Sequence, residues 1–431
     1  MQLISQTRDQ GIIWFKDADK DSYSDGQTVV SAQRPSPDYF GEEELRATSG
    51  DLNDANPSVH PDGTPNWVVF DENSTYEPDS SVEIQIPIST PDTLRIDYNI
   101  PGLNTWEQPV EGEIYDQLNI QGSGNSSIVG APKLPLLRHF VSIPNGASVS
   151  AQVISSNSRE IENYYVYPSQ QQPFDYPNAP EPVFTKDSTI YESNTFFPSQ
   201  VVQVEGPFII RGFSMVIVQV NPIQFNPVEH NLNVFSEIDV ELAFQGGDYR
   251  KRDNRLSSPP FDQMLERIVL NKSMLKSQTT SRKAYESGNS LLIITDSDFL
   301  DAANELRDWK IRRGIETEIR TTDDTGFTAQ AIRNYIINAY ENWDVAPTYV
   351  LLLGDVEYIP CHYETIHPSH NTLTGTDLYY AAVDGDDFFP DIHLGRISVD
   401  TNQEALNRVR DIVNYERNPV SDPSFYNNIA V

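Results

Sequence analysis

Apolar residues along this chain change their spacing between its first and last thirds. From Trp67 to Gly247 they fall into short alternating or continuous runs: VEIQIPI (82–88), TLRIDYNI (93–100), HFVSIPNGASVSAQVI (139–154), FIIRGFSMVIVQVNPIQF (208–225) and LNVFSEIDVELAF (232–244). Proline, glycine and asparagine punctuate them, and no long 3.6-residue pattern appears. Many short strands of this kind predict an antiparallel β-sandwich.

From Ser290 the pattern becomes strand, helix, strand, helix, strand. LLIIT (291–295) is apolar throughout, as a strand buried on both faces must be. Asp298 or Ser297 can cap a helix whose apolar face is Ala302, Leu306 and Trp309 and which ends at Gly314. IETEIRT (315–321) follows. Thr328 then caps a helix carrying Ile332, Tyr335, Ile336, Ala339 and Tyr340 at i, i+3, i+4, i+7 and i+8. YVLLLGD (349–355) is the next buried strand, and IHLGRIS (392–398) another. A helix from Asn402 to about Arg417 buries Leu406, Val409 and Val413, and NNIAV (427–431) reads as the opening of one more strand. This predicts a mainly parallel sheet with right-handed crossovers and chemistry at the carboxyl ends of its strands. Between the two patterns, 248–289 reads as a polar, proline-bearing linker. Its basic residues Arg250, Lys251, Arg252, Arg255, Arg282 and Lys283 suit proteolytic nicking.

Charge narrows the function. The 63 acidic residues against 30 basic ones leave a formal charge of −33. Such a surface repels nucleic acid and anionic lipid and attracts divalent cations. No apolar run reaches the roughly 18 residues of a membrane helix. One cysteine permits no internal disulfide. The N-terminal MQLISQTRDQGIIWF lacks the charged and apolar regions of a signal peptide, so an upstream start is expected for a secreted or cell-surface protein.

Acidic knots supply the candidate metal ligands. Asp17, Asp19, Asp21 and Asp25 stand at alternate or near-alternate positions before Gly26, the spacing at which a tight loop presents oxygens to calcium. Asp51, Asn53 and Asp54 form a second knot in GDLNDANPSVHPDG (50–63). Together they resemble the metal-binding repeats of bacterial secreted proteins related to thrombospondin type 3 repeats, with Leu52 where a cysteine is usual. A third cluster, Asp384, Asp386, Asp387 and Asp391 in VDGDDFFPD, crowds carboxylates that a cation would neutralise. Cys361, His362, His367 and His370 form C-H-x4-H-x2-H, a possible zinc set whose spacing matches no standard finger.

Two long stretches carry a family resemblance. APKLPLLRHFVSIPNGASV (131–149) with RGFSMVIVQVNPIQFNPVEHNLNVFSEIDVELAF (211–244) resembles the prodomain of gingipain-type cysteine peptidases. The final segment resembles the front of their catalytic domain. It carries Asp308, Trp309, Lys310, Arg313 and Gly314 at a helix end, then YVLLLGD-x-x-x-IP. Thr376, Asp377, Tyr379 and Tyr380 follow, and GR-x-S precedes a helix ending in YERNP. The resemblance implies a truncated caspase-like α/β domain behind its prodomain, calcium binding, and a peptide substrate. It also implies a catalytic histidine and cysteine that both lie downstream of these residues. Cys361 and His362 are chain neighbours, whose side chains point to opposite faces of an extended segment, so they are not expected to pair. His367, His370 or His393 could approach Cys361 only through the fold. Asp355 and Asp377 suit loop orientation.

The expectation is therefore a multidomain chain. Residues 1–66 form a calcium-binding repeat region, 67–247 a β-sandwich prodomain, 248–289 a linker, and 290–431 part of a peptidase domain. The prodomain is expected to cover the active-site edge. A calcium-dependent adhesion protein with a remnant peptidase-like domain is the rival, and a flavodoxin- or receiver-like domain a third option.

Overall fold

Alternation dictates the first half of the structure. In strand Thr93–Asn99, Leu94, Ile96 and Tyr98 are buried. Arg95 and Asp97 point the other way, and Arg95 ties Asp97 to Asp239 on the neighbouring strand at 3.0 and 2.7 Å. The computed structural model describes residues 12–16, 27–31, 34, 36, 39–40, 66–77, 80–110, 112–172, 182–248, 252–278, 290–365, 373–422 and 424–425.

Antiparallel ladders fill residues 66–245. One sheet runs Ser148–Glu162, Asn231–Gln245, Thr93–Asn99, Glu83–Ser89, with Ile223–Asn226 also paired to Asn231–Gln245. A second runs Val202–Ile210, Phe213–Val220, Pro135–Ser142, Gly124–Asn125. A third holds Asn66–Val69, Gly102–Val110 and Glu113–Asn119. Their inner faces share one apolar core that includes Leu94, Ile96, Leu103, Leu118, Val141, Val218 and Val240. A small sheet of Thr28–Ser31, Ile12–Lys16 and Tyr39–Phe40 precedes them. The acidic positions Asp17, Asp19, Asp21, Asp25, Asp51, Asn53 and Asp54 lie outside the described residues.

Residues 290–417 build a parallel sheet in the order Glu316–Thr321, Ser290–Thr295, Tyr349–Leu353, His393–Ile397. Ser290–Thr295 is buried along its whole length, as its unbroken apolar run requires. Leu291 and Ile293 pack with helices Leu300–Arg312 and Asn402–Arg417 on one face. Leu292 and Ile294 pack with helix Ala329–Asn342 on the other. Thr328 and Thr401 cap their helices through side-chain oxygens, the first as expected. The cap before Leu300–Arg312 differs from expectation. Asp296 accepts from the Asp298 amide and starts a 3-10 turn over Ser297–Phe299, which leads into the helix. No helix among the described residues is long and apolar enough to cross a membrane.

The described part of the expected linker is packed. Helices Pro259–Ile268 and Lys272–Gln278 bury Phe261, Leu265, Met274 and Leu275. Asn271 exchanges hydrogen bonds with the Ser142 backbone at 2.9 and 2.8 Å, which attaches this segment to the β-rich half. Arg252 is buried against Asp262 at 2.8 Å and over the Phe213 ring at 4.4 Å. Arg255 donates to Tyr340 and Trp343 carbonyls. These two basic residues are structural, not exposed nicking points. Arg250, Lys251, Arg282 and Lys283 lie outside the described residues.

Candidate functional site

Strand ends in an open parallel sheet face a crevice on the carboxyl side. There Gly354 follows Leu353 with φ 141°, and a Cβ would meet Phe299 and Tyr358 atoms at 3.2 Å. Asp355 accepts from the Val356 amide at 2.8 Å and so turns the chain away from the strand. Arg396 holds the edge together. It donates two bonds to Asp377 at 2.8 and 2.7 Å and two more to the carbonyls of Gly354 and Ile359. Asp355 thus orients its loop through a backbone amide, as expected, whereas Asp377 does so through the Arg396 guanidinium.

The loop beyond this edge forms a hairpin, His362–Thr365 with Leu373–Thr376. Cys361 is half-buried. Its Sγ would lie 2.9 Å from a Cβ on Gly375, and the thiol raises the pKa of the neighbouring Tyr363 phenol. His362 stacks on Tyr379 at 4.0 Å and sits 3.4 Å from Glu364. His367 and His370 lie outside the described residues. His393 lies at the opposite end of the sheet, its ring tilted against Phe261 at 4.2 Å. Among the described residues no three His, Cys, Asp or Glu side chains gather to hold a metal ion.

The densest polar site is elsewhere, at the amino end of the sheet, where the two halves meet. Residues Arg211 and Gly212 turn the chain between strands Val202–Ile210 and Phe213–Val220, both with positive φ (47° and 76°). That conformation makes a tight hairpin turn compatible with strand twist. A Cβ on Gly212 would meet Leu256 Cδ1 at 2.7 Å, so the position requires glycine. Arg211 is fully buried. Its Nε donates to the Leu256 carbonyl (2.9 Å), Nη1 to Pro347 (2.9 Å) and Asp391 (2.8 Å), and Nη2 to Ala346 (3.2 Å). The guanidinium lies 5.1 Å from the Phe261 ring centre and 5.8 Å from that of Tyr340.

The acidic loop meets the backbone of the same turn. Asp387 Oδ2 accepts from the Ile209 amide at 2.8 Å, Asp391 Oδ1 from Arg211 at 2.6 Å, and Asp384 Oδ2 from Gly212 at 3.1 Å. Asp391 Oδ2 also accepts from Val383 and Asp384 amides at 2.9 and 2.7 Å. Tyr340 donates to Asp384 at 3.0 Å. Asp386 is exposed. Three of the four clustered carboxylates are therefore occupied by N–H donors. Phe389 adds apolar contact, edge-on to Phe140 and Phe208 at 5.2 and 5.0 Å.

Burial sets the charges here. Asp391 is pushed up to about 7 by desolvation, against the opposing pull of its three amide donors. Arg211 is lowered to about 10 by burial and stays cationic at neutral pH. His393 is lowered by burial and by Arg211. Sequence reasoning noticed the Arg-Gly pair only as a point of resemblance. The usable signal was a single cation inside the apolar run FIIRGFSMVIV, which must be buried with partners if the run is a core strand pair.

Comparison with known proteins follows this division. The family described as Propeptide_C25 matches residues 75–257, and peptidase family C25 matches 284–431. Lys-gingipain W83 of Porphyromonas gingivalis is 26% identical over 336 residues, covering 74% of this chain and 19% of the relative. Gingipain R1 of the same organism is 27% identical over 301 residues, 68% of this chain and 29% of its own length. The chain thus spans less than a third of the length of these relatives. A solved complex of the pro- and mature domains of Porphyromonas gingivalis RgpB aligns with TM-score 0.39 at 20% identity, over 44% of this chain and 97% of that one.

Proposed function

We propose that this chain is the precursor, or a fragment of the precursor, of a secreted, gingipain-like cysteine endopeptidase, because residues 75–257 match the Propeptide_C25 family and residues 284–431 match peptidase family C25. The observation that carries this reading is the ordered match of both segments, coupled to a built junction between them at Arg211. The antiparallel sheets around one core are read as a β-sandwich prodomain, and the parallel sheet as caspase-like. Strand His393–Ile397 has one partner strand among the described residues. Beside it opens an apolar hollow of about 450 Å³ lined by Leu306, Tyr349, Leu351, Leu394 and Ile412.

In the intact enzyme a thiolate attacks a peptide carbonyl, forms an acyl-enzyme with loss of the amine, and water releases the acid. The nucleophile and its base are proposed to lie outside these residues. The His362 ring is stacked on Tyr379, and His393 lies at the opposite end of the sheet against Phe261. Calcium is proposed at Asp17, Asp19, Asp21, Asp25, Asp51, Asn53 and Asp54. At Asp384, Asp386, Asp387 and Asp391 it would have to compete with the amide donors of the turn.

The test is covalent labelling with a peptidyl acyloxymethyl ketone alongside a fluorescent protein substrate. The 431-residue chain is expected neither to turn over substrate nor to label at Cys361. Turnover abolished by Cys361→Ala would overturn the assignment.

A further inference from the structure

We propose that the Arg211-Gly212 turn is a docking anchor that plugs into the amino-terminal edge of the parallel sheet and holds the β-rich half in place. The Arg211 hydrogen bonds to the parallel-sheet half reach the starts of strands Tyr349–Leu353 and His393–Ile397, through Ala346, Pro347 and Asp391. Each strand is five residues long, so the anchor stands about 16 Å from the carboxyl edge at ~3.3 Å per residue.

The receptor for the turn is chemically complete. Three carbonyls of the parallel-sheet half, on Ala346, Pro347 and Asp391, take the guanidinium beside the Leu256 carbonyl on its own side, and three carboxylates take the amides of Ile209, Arg211 and Gly212. Gly385 in the acidic loop lets that backbone close on Ile209, where a Cβ would stand 3.3 Å from Ile209 Cβ. Lysine cannot replace arginine here, since one ammonium does not reach four carbonyls arranged around a planar fork. An anchor of this kind does not depend on the covalent connection through 279–289. It holds the halves together after that connection is cut. This consequence does not require the peptidase reading, because the readout is binding and not turnover.

The test uses the full chain with a specific protease site inserted between Gln278 and Ser290. After cutting, the wild-type halves are expected to co-elute on size exclusion and to separate only on strong dilution. Arg211→Ala is expected to raise the dissociation constant about 100-fold or more, the loss typical of truncating a buried, hydrogen-bonded charge. Arg211→Lys falls between the two. Arg138→Ala, which removes an exposed pair with Glu205 at 2.5 Å within the β-rich half, leaves the constant unchanged. Should Arg211→Ala disturb folding by near-ultraviolet circular dichroism, Asp387→Ala removes only the Ile209 and Phe389 acceptor and is expected to weaken docking several-fold. Halves that stay together equally well in both variants, or wild-type halves that part at once on cutting, would overturn the anchor.

Discussion

At the scale of single residues, Arg211 and Asp391 decide the behaviour of the junction. An arginine removed from water needs every donor satisfied, and here four carbonyls and two aromatic rings surround it. Asp391 gives the junction a pH dependence. Its pKa is raised to about 7 in the docked state, and on separation, when water reaches it, it returns to the ordinary carboxylate range. The docked state therefore binds the proton more tightly, and docking weakens as pH rises through 7. Between pH 6 and 8 one such group shifts the balance by about 1.4 kcal/mol, a tenfold change in dissociation constant. His393 acts from the other side. Its pKa is lowered by burial and by Arg211, so docking also weakens as pH falls below the ordinary histidine range. Tyr340, Asp384, Asp262 and Arg252 are the other charged or titratable groups coupled to this pair. The cut chain should show tightest association between about pH 6 and 7, the interval bounded by the two shifts. A constant that improves steadily up to pH 9 would refute the assignment to Asp391.

Glycine at 212 belongs to the same scale. Gly212→Ala forces a side chain into a positive-φ position 2.7 Å from Leu256 Cδ1. It should destabilise the docked chain by about 1–3 kcal/mol in urea unfolding. An unchanged midpoint would show that the turn relaxes freely.

At the scale of elements, the sequence was most legible where one rule acts alone. The strands Ser290–Thr295 and Tyr349–Leu353 follow from unbroken apolar runs, and helix Ala329–Asn342 from its stripe and its threonine cap. The stretch 252–278 was less legible, because polar and basic residues there suggest exposure. Arg252 and Asp262 neutralise one another inside, and Phe261 and Leu265 fill the gap between the halves. Pairing across more than one element cannot be read from local composition. The carboxyl edge shows the same limit. Asp377 was placed there as a loop organiser, yet its partner Arg396, inside strand His393–Ile397, carried no local signal. Asp377→Ala leaves that guanidinium with two carbonyls and no carboxylate, and should cost about 3 kcal/mol of stability. Chemical denaturation of the full chain measures it, and a loss under about 0.5 kcal/mol, the level of an ordinary surface change, would contradict the organising role.

At the scale of the whole molecule, a formal charge of −33 could serve cation binding, partner exclusion or internal acceptors. The acidic loop 384–391 shows how the third use can look like the first. Clustered carboxylates repel unless something positive lies between them, and here backbone amides from the other half fill that place. The N-terminal knots around Asp17–Asp25 and Asp51–Asp54 retain the calcium proposal. Titration calorimetry should find calcium binding, and the thermal midpoint should fall when a chelator is added. No heat and no shift would remove calcium from the account.

The most direct measurement of the central claim, that the two halves are joined through the Arg211 turn, is amide hydrogen exchange on the intact chain. Ile209, Arg211, Gly212, Val383 and Asp384 should be strongly protected together. In Arg211→Ala all five should lose protection as a unit, while Leu94 and Ile96 in the β core keep theirs. Wild-type amides at Arg211 and Gly212 exchanging at the rate of an unstructured peptide would contradict it.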